Sequence, residues 1–283
     1  MPSFGDWEAT VLGHCYDQVD YVSLHSYYTE RDHDRASFLA CATGMDNFIE
    51  DVIATADHVR AKGRHAKRIN LSFDEWNVWH TMGYSPEGDW ERAPRLIEDT
   101  YDLTDAVVVG NLLISLLRHA DRVRMACLAQ LVNAIGAIRS EPGGPSWRQT
   151  IFHPFALTSR HGRGTVLRTP VAGPEYDTPA YGAVPTADAV AVLSDSGEEL
   201  TVFAVNRDQR EPLPAVIDVR ALPALRVAHH TYLGGDEPSA ANTQDAPDRV
   251  VPRTGAALPV DGGMVRIVLP PLSWNMVRIG GDD

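Results

Sequence analysis

The feature that most limits the fold is a change of hydrophobic period near residue 164. Upstream, strand-like runs alternate with helical stripes; downstream, short alternating runs are separated by turns. "VDYVSLHSYY" (19–28) alternates at period two and predicts a strand. "DNFIEDVIATADHVRAKG" (46–63) carries Phe48, Ile49, Val52, Ile53, Ala56 and Val59 on one helical stripe, with Gly63 placed as its stop. "RINLSF" (68–73) predicts a second strand. "DAVVVGNLLISLLRHA" (105–120) predicts a helix, with Asp105 near its start and Arg118 and His119 in its last turn. "RVRMACLAQLV" (122–132) reads as a third strand, and "SWRQTIFHPFALTSRHG" (146–162) as a helix interrupted near Pro154. Strands alternating with helices imply β/α units on a parallel sheet.

The second half reads differently. "AVAVLSDSGEELTVFAVNRD" (189–208) is a hairpin around an Asp-Ser-Gly turn, and "LRVAHHTYLG" (225–234) and "GMVRIVLPPLSWNMVRIG" (263–280) are further strands. Turns at short intervals and the loss of helical period imply an all-β sandwich of Greek-key or jelly-roll type. The division expected is residues 1–163, α/β, and residues 164–283, all-β. Three β/α units do not close a barrel, which takes eight. The sheet is therefore open, or the chain is the back part of something larger. The insertion "MGYSPEGDWERAPRL" (82–96), rich in Gly and Pro and holding Trp90, reads as a lid over a site or as plain loop.

Charge and cysteine usage narrow the partners. The formal net charge of −13 disfavours nucleic acid and anionic membrane surfaces and suits a neutral ligand. The three cysteines, Cys15, Cys41 and Cys127, are widely spaced, which argues against a disulfide framework or zinc site and for a reducing compartment. The longest apolar run, "AVVVGNLLISLL" (106–117), is too short to span a bilayer and is broken by Asn111. The opening residues lack the basic-then-apolar pattern of a signal peptide. The expectation is a cytoplasmic protein.

Chemistry concentrates at the ends of the three strands. The first finishes in His25 and Tyr27, the second runs into Asp74 and Glu75, and the third into Gln130 and Asn133. Ligands of α/β folds bind at the carboxyl ends of parallel strands. A carboxylate beside Trp76 and Trp79 is costly to desolvate unless it is paired or used. Aromatic faces beside carboxylates suit sugars, because rings cover C–H faces while polar groups take hydroxyls. Regular pleating does not settle whether Asp74 or Glu75 faces the ligand, and a bulge would change the answer. Solvated carboxylates, core tryptophans and a satisfied core histidine are the plainer alternatives. No P-loop, dinucleotide fingerprint, G-x-S-x-G elbow or H-E-x-x-H motif is present in the sequence.

"LSFDEWNVWH" (71–80), with "VDYVSLHSYY", "ADRVRMACLAQLVNAI" (120–135), "GGPSWRQTIFHPF" (143–155), "TVFAVNRD" (201–208) and "LPPLSWNMVRI" (269–279), resembles the alpha-L-arabinofuranosidases of glycoside hydrolase family 51. The resemblance runs over essentially the whole chain in the same order. It implies the last three or so units of a (β/α)₈ TIM barrel followed by a jelly-roll β-sandwich. It also implies a retaining enzyme that removes terminal arabinofuranosyl groups from arabinan, arabinoxylan and related oligosaccharides. Glu75 would be the nucleophile, Tyr27 would hydrogen-bond it, and His25, Trp79 and Gln130 would line the sugar subsite. No metal or organic cofactor is called for, and homo-oligomers are common among such relatives. A retaining glycosidase needs two carboxyl groups about 5 Å apart. The family's acid/base is the Glu of an Asn-Glu pair, and this sequence contains no Asn-Glu dipeptide. The resemblance therefore implies the C-terminal portion of such an enzyme, without its acid/base. A related retaining enzyme acting on β-glucan or xylan, and a non-catalytic carbohydrate-binding or partner-subunit chain, are the competing readings.

Overall fold

A computed structural model describes residues 4–81, 95–222 and 224–280. The first half begins with helix α1 (Asp6–Cys15), strand β1 (Tyr21–Tyr28), the short helix α2 (Arg35–Leu39), helix α3 (Cys41–Gly63) and strand β2 (Asn70–Val78). Helix α4 (Leu103–Arg118), strand β3 (Val123–Leu128), the hairpin β4 (Ile138–Ser140) and β5 (Ser146–Arg148), and helix α5 (Phe152–His161) follow. Strands β1, β2 and β3 form one parallel sheet in that order.

Local chemistry explains where these elements stop. Helix α3 buries Ile49, Val52, Ala56 and Val59 of the predicted stripe and adds Met45, while Phe48 and Ile53 are only half-buried against the same core. Gly63 is its last residue, and Arg64 takes the left-handed cap conformation at φ 53°. Gly63 is needed for space: a Cβ there would lie 2.2 Å from the His65 ring. That ring stacks on Tyr16 at 4.3 Å between centroids. Helix α4 starts earlier than expected because Asp102 caps it, accepting from the Asp105 N–H at 3.0 Å, while Asp105 accepts from the Asp102 N–H at 2.9 Å. Helix α5 corrects the expectation for 146–162. Residues 146–148 are strand, the helix starts at Phe152, and Pro154 sits uninterrupted in its first turn, where a missing N–H costs nothing. Strand β3 ends at Leu128 rather than near 132, so Gln130 and Asn133 lie on the irregular segment that follows; Asn133 has φ 59°. The 82–96 insertion falls outside the described residues, except for its last two positions.

The second half is antiparallel. Strands β6 (Thr165–Leu167), β7 (Glu175–Thr178), β8 (Gly182–Pro185), β9 (Ala187–Leu193), β10 (Leu200–Asn206) and β11 (Leu213–Asp218) come first. Then come β12 (Val227–Leu233), β13 (Arg253–Thr254), β14 (Leu258–Pro259), β15 (Met264–Leu269) and β16 (Ser273–Gly280). The 263–280 run splits into two strands at Pro270 and Pro271. A seven-stranded sheet is built along β13-β12-β16-β10-β9-β6, with β14 also on β12. Its two faces are both apolar, which is why every residue of β10 is buried. Leu200, Val202 and Ala204 pack towards the β11–β15 pair with Val265, Ile267 and Leu269. Phe203 and Val205 join Trp274 and Met276 in the core that includes α4.

Helix α4 is thus an inner element, buried from Leu103 to Leu116. Asn111, which interrupts its apolar run, accepts hydrogen bonds from the buried Arg207 guanidinium at 2.9 and 2.6 Å. Gly110 lets Trp274 approach: a Cβ would stand 2.1 Å from Cδ1 of that indole. No helix among the described residues is long and apolar enough to cross a membrane.

Gly110→Ala should therefore destabilise the chain by about 1–3 kcal/mol through overpacking, despite alanine's better helix propensity. A chemical-denaturation midpoint would show this; an unchanged or raised midpoint would mean that Trp274 moves aside freely.

Candidate active site

Parallel sheets are normally covered on both faces. Here one face packs under α3 and α4, with Leu24, Leu71, Phe73 and Val78 buried. The other presents Tyr21, Ser23 and His25 of β1 and Met125 of β3 to solvent.

A bulge in β2 decides which side chains reach that open face. Ser23 pairs with Ser72, but His25 pairs with Glu75, so β2 holds one extra residue. The β2–β3 ladder shows the same slip between Phe73 and Trp76. Leu71 and Phe73 are buried before the bulge, Trp76 and Val78 after it. The parity flips. Asp74 and Glu75, neighbours that regular pleating would send to opposite faces, both turn to the open side.

The imidazole of His25 lies between them. Its Nε2 is 3.4 Å from Asp74 Oδ1 and its Nδ1 is 3.5 Å from Glu75 Oε2. The Ser23 hydroxyl donates to Asp74 Oδ1 at 2.7 Å. His25 is half-exposed and is not a core histidine. The Tyr27 phenol donates to Glu75 Oε2 at 2.8 Å, a charge-assisted bond. Burial, then the hydrogen bond to the Glu75 carboxylate and its charge, push that phenol up to about 12. Tyr27 therefore stays a donor across the physiological range. The Trp79 indole meets the Tyr27 ring edge-on, with centroids 4.9 Å apart. Tyr27 also borders a cavity of about 390 Å³ with Tyr28, Arg31, Phe38 and Tyr181.

Four of the five residues expected at a site thus stand together: His25, Tyr27, Glu75 and Trp79. Gln130 lies beyond the same end of β3, exposed, with its backbone N–H on the Ile135 carbonyl at 3.2 Å. It lines a groove of about 530 Å³ with Leu128, Leu131, Phe152 and Phe155. Among the described residues no side-chain contact joins Gln130 to Glu75. Ser23 was missed by sequence reasoning, although its place two residues before His25 on one face was visible. Asn77 was missed too. It is fully buried and donates to the carbonyls of Ala129 and Ile135 at 2.6 and 2.8 Å, which fixes the segment after β3 against β2.

A half-exposed carboxylate held by a phenol, with an indole at its side, can attack an electrophilic carbon. The titration of Tyr27 tests the geometry directly. With ¹³C-labelled tyrosine, its ring should titrate near 12. In Glu75→Gln the midpoint should fall towards the ordinary value of about 10. A midpoint unmoved by that substitution would mean the Tyr27–Glu75 bond is not formed.

A family model described as alpha-L-arabinofuranosidase C-terminal domain matches residues 74–273. The chain is 51% identical over 286 residues to an intracellular exo-alpha-(1->5)-L-arabinofuranosidase of Streptomyces lividans, covering 98% of this chain and 42% of that protein. It is 44% identical over 292 residues to an exo-alpha-(1->6)-L-arabinofuranosidase of Bifidobacterium longum, covering 99% of this chain and 56% of that protein. A solved structure of a family 51 alpha-L-arabinofuranosidase from Bifidobacterium longum aligns with TM-score 0.91 at 40% identity, over 99% of this chain and 56% of the other. The chain spans about half the length of the relatives it matches.

Proposed function

The chain belongs to the alpha-L-arabinofuranosidases of glycoside hydrolase family 51, and on that premise we propose that it carries the nucleophile half of a retaining exo-acting active site. The observation that carries this reading is the Tyr27–Glu75 hydrogen bond on the open, carboxyl end of the parallel sheet. Glu75 attacks the anomeric carbon of a terminal α-L-arabinofuranosyl group, forming a glycosyl ester as the C–O bond to the leaving group breaks. Tyr27 orients the carboxylate by its hydrogen bond to one oxygen, leaving the other to attack. His25, Trp79 and Gln130 line the sugar, the indole covering its C–H face.

The three β/α units belong to a (β/α)₈ barrel, residues 1–163, and the jelly-roll sandwich follows as residues 164–283. On this reading the remaining strands of that barrel, and the acid/base carboxyl that protonates the leaving group, are supplied by residues outside this sequence. The exposed face of β1–β3 supports this, since a parallel sheet left open on one side is unusual. The substrates are arabinan- or arabinoxylan-type oligosaccharides, and the setting is the cytoplasm. The names of the relatives include both α-(1→5) and α-(1→6) linkages, and the proposal covers terminal α-L-arabinofuranosyl groups in either.

An aryl α-L-arabinofuranoside with a good leaving group needs little acid assistance, so Glu75 can act on it alone. The chain should release the phenol, and Glu75→Gln should lower that rate by about 10³-fold or more. Arabinoside binding that survives Glu75→Gln, with not even one equivalent of phenol released by the parent chain, would favour the non-catalytic carbohydrate-binding reading instead.

A further inference from the structure

We propose that His80 is a positioning residue: as an imidazolium it clips the end of β2 to the N-terminus of α4 and so holds Trp79 against Tyr27. The inference rests on the reading of Trp79 as a wall of the sugar subsite, which it deepens by naming what holds that wall.

The residues after β2 are tied down on three sides. The Trp79 N–H donates to the Tyr28 carbonyl at 2.8 Å. The buried Asp99 accepts from the His80 N–H at 2.6 Å and, through the same oxygen, from the Thr81 N–H at 3.4 Å. The His80 ring makes the third tie. Its Nε2 stands 3.0 and 3.1 Å from the two oxygens of Asp105, whose carboxylate is almost fully buried. Asp105 is not free to turn away, because it also closes the capping box of α4. A buried carboxylate that already caps a helix needs a charged donor to offset its desolvation, and His80 is placed to supply it. Trp79 sits between these ties, its indole N–H on Thr81 Oγ1 at 3.1 Å and its ring against Tyr27. The clip therefore fixes the backbone on the C-terminal side of the indole and its hydrogen-bond acceptor together.

The groups around His80 are mostly acidic. Asp102 and Asp105 face it from α4, and Asp99 from the preceding segment. Glu30, Asp32 and His33 from the segment after β1, and Arg35 from α2, line the same cavity of about 510 Å³. Thr29 Oγ1 is 3.5 Å from Nδ1. The hydrogen bond to Asp105 raises the His80 pKa above its ordinary value, against the opposing effect of burial. The clip's contribution to stability is fully present below the ordinary imidazole value and is lost as pH rises through the raised folded value. Asp102 titrates nearby, pushed up to about 7 by burial and by the Asp105 charge, so the two groups must be separated by substitution.

The indole N–H signal of Trp79 reads the clip without any need for activity. In a ¹H–¹⁵N spectrum the chain's six tryptophans give six candidate indole signals, and Trp79→Phe identifies the one to follow. That signal should move or broaden in one step as pH rises through and above the ordinary histidine value. His80→Gln should abolish the step. Asp102→Asn, which keeps a good helix cap, should retain it. The other indole signals and the far-ultraviolet circular dichroism serve as the folding control. Absence of a step in the parent chain, its persistence in His80→Gln, or its loss in a folded Asp102→Asn would overturn the proposal. Failure of the glycosidase reading would show separately, as a chain that neither binds nor cleaves an arabinoside while the Trp79 step remains.

Discussion

The arrangement of the site depends on one extra residue in β2. Without the bulge between Phe73 and Trp76, alternation would send one of Asp74 and Glu75 into the core beneath α3 and α4. With it, Leu71 and Phe73 fill that core before the slip, and Trp76 and Val78 after it. The strand buries its apolar side chains throughout and still turns two consecutive carboxylates outward. His25 and Tyr27, two apart on β1 and on one face, meet Glu75 because the slip restores their register with it.

Rigidity behind the site comes from α4. This helix is buried on the side of the parallel sheet and on the side of the seven-stranded antiparallel sheet, so the two halves share one apolar core. Its few polar groups are matched. Asn111 receives Arg207, and Ser115 and Arg118 both reach Asp46 on α3, at 2.5 and 2.6 Å. Its N-terminus meets the end of β2 at Asp105 and His80. The antiparallel half thus meets the site only at one remove, through α4.

Much of this was legible in the sequence. The stripe of α3, the alternation of β1 and the hairpin of β9 and β10 follow from spacing alone, because each element has one clearly apolar face or pair of faces. The strand ends were not. β2 was expected to stop at Phe73, since two carboxylates look like a terminus, yet it runs on to Val78. A bulge has no composition signature, so the parity flip could be named as a possibility but not located. The stretch 146–162 reads as helix by its apolar content, while its first residues pair with β4 in a hairpin. Asp102 as the cap of α4, and Asp99 and Asp105 as partners of His80, depend on contacts between separate elements, which periodicity does not encode. Glu75, Tyr27, His25 and Trp79 were picked out as site residues from strand-end position, aromatic company and family resemblance. The structure brings these four together and leaves Gln130 apart on the segment after β3.

Glu75 is the residue proposed to form the bond to the sugar. The most direct measurement is mass spectrometry of the chain after brief incubation with an aryl α-L-arabinofuranoside bearing a good leaving group, followed by proteolysis. A base that activates water is needed to cleave the glycosyl ester, so the ester should persist in a chain that carries the nucleophile without it. The account predicts one pentosyl group on the peptide containing Glu75, and none on that peptide in Glu75→Gln. A pentosyl group on Asp74 or on any other carboxylate, or a Glu75 peptide that stays unmodified, would contradict it.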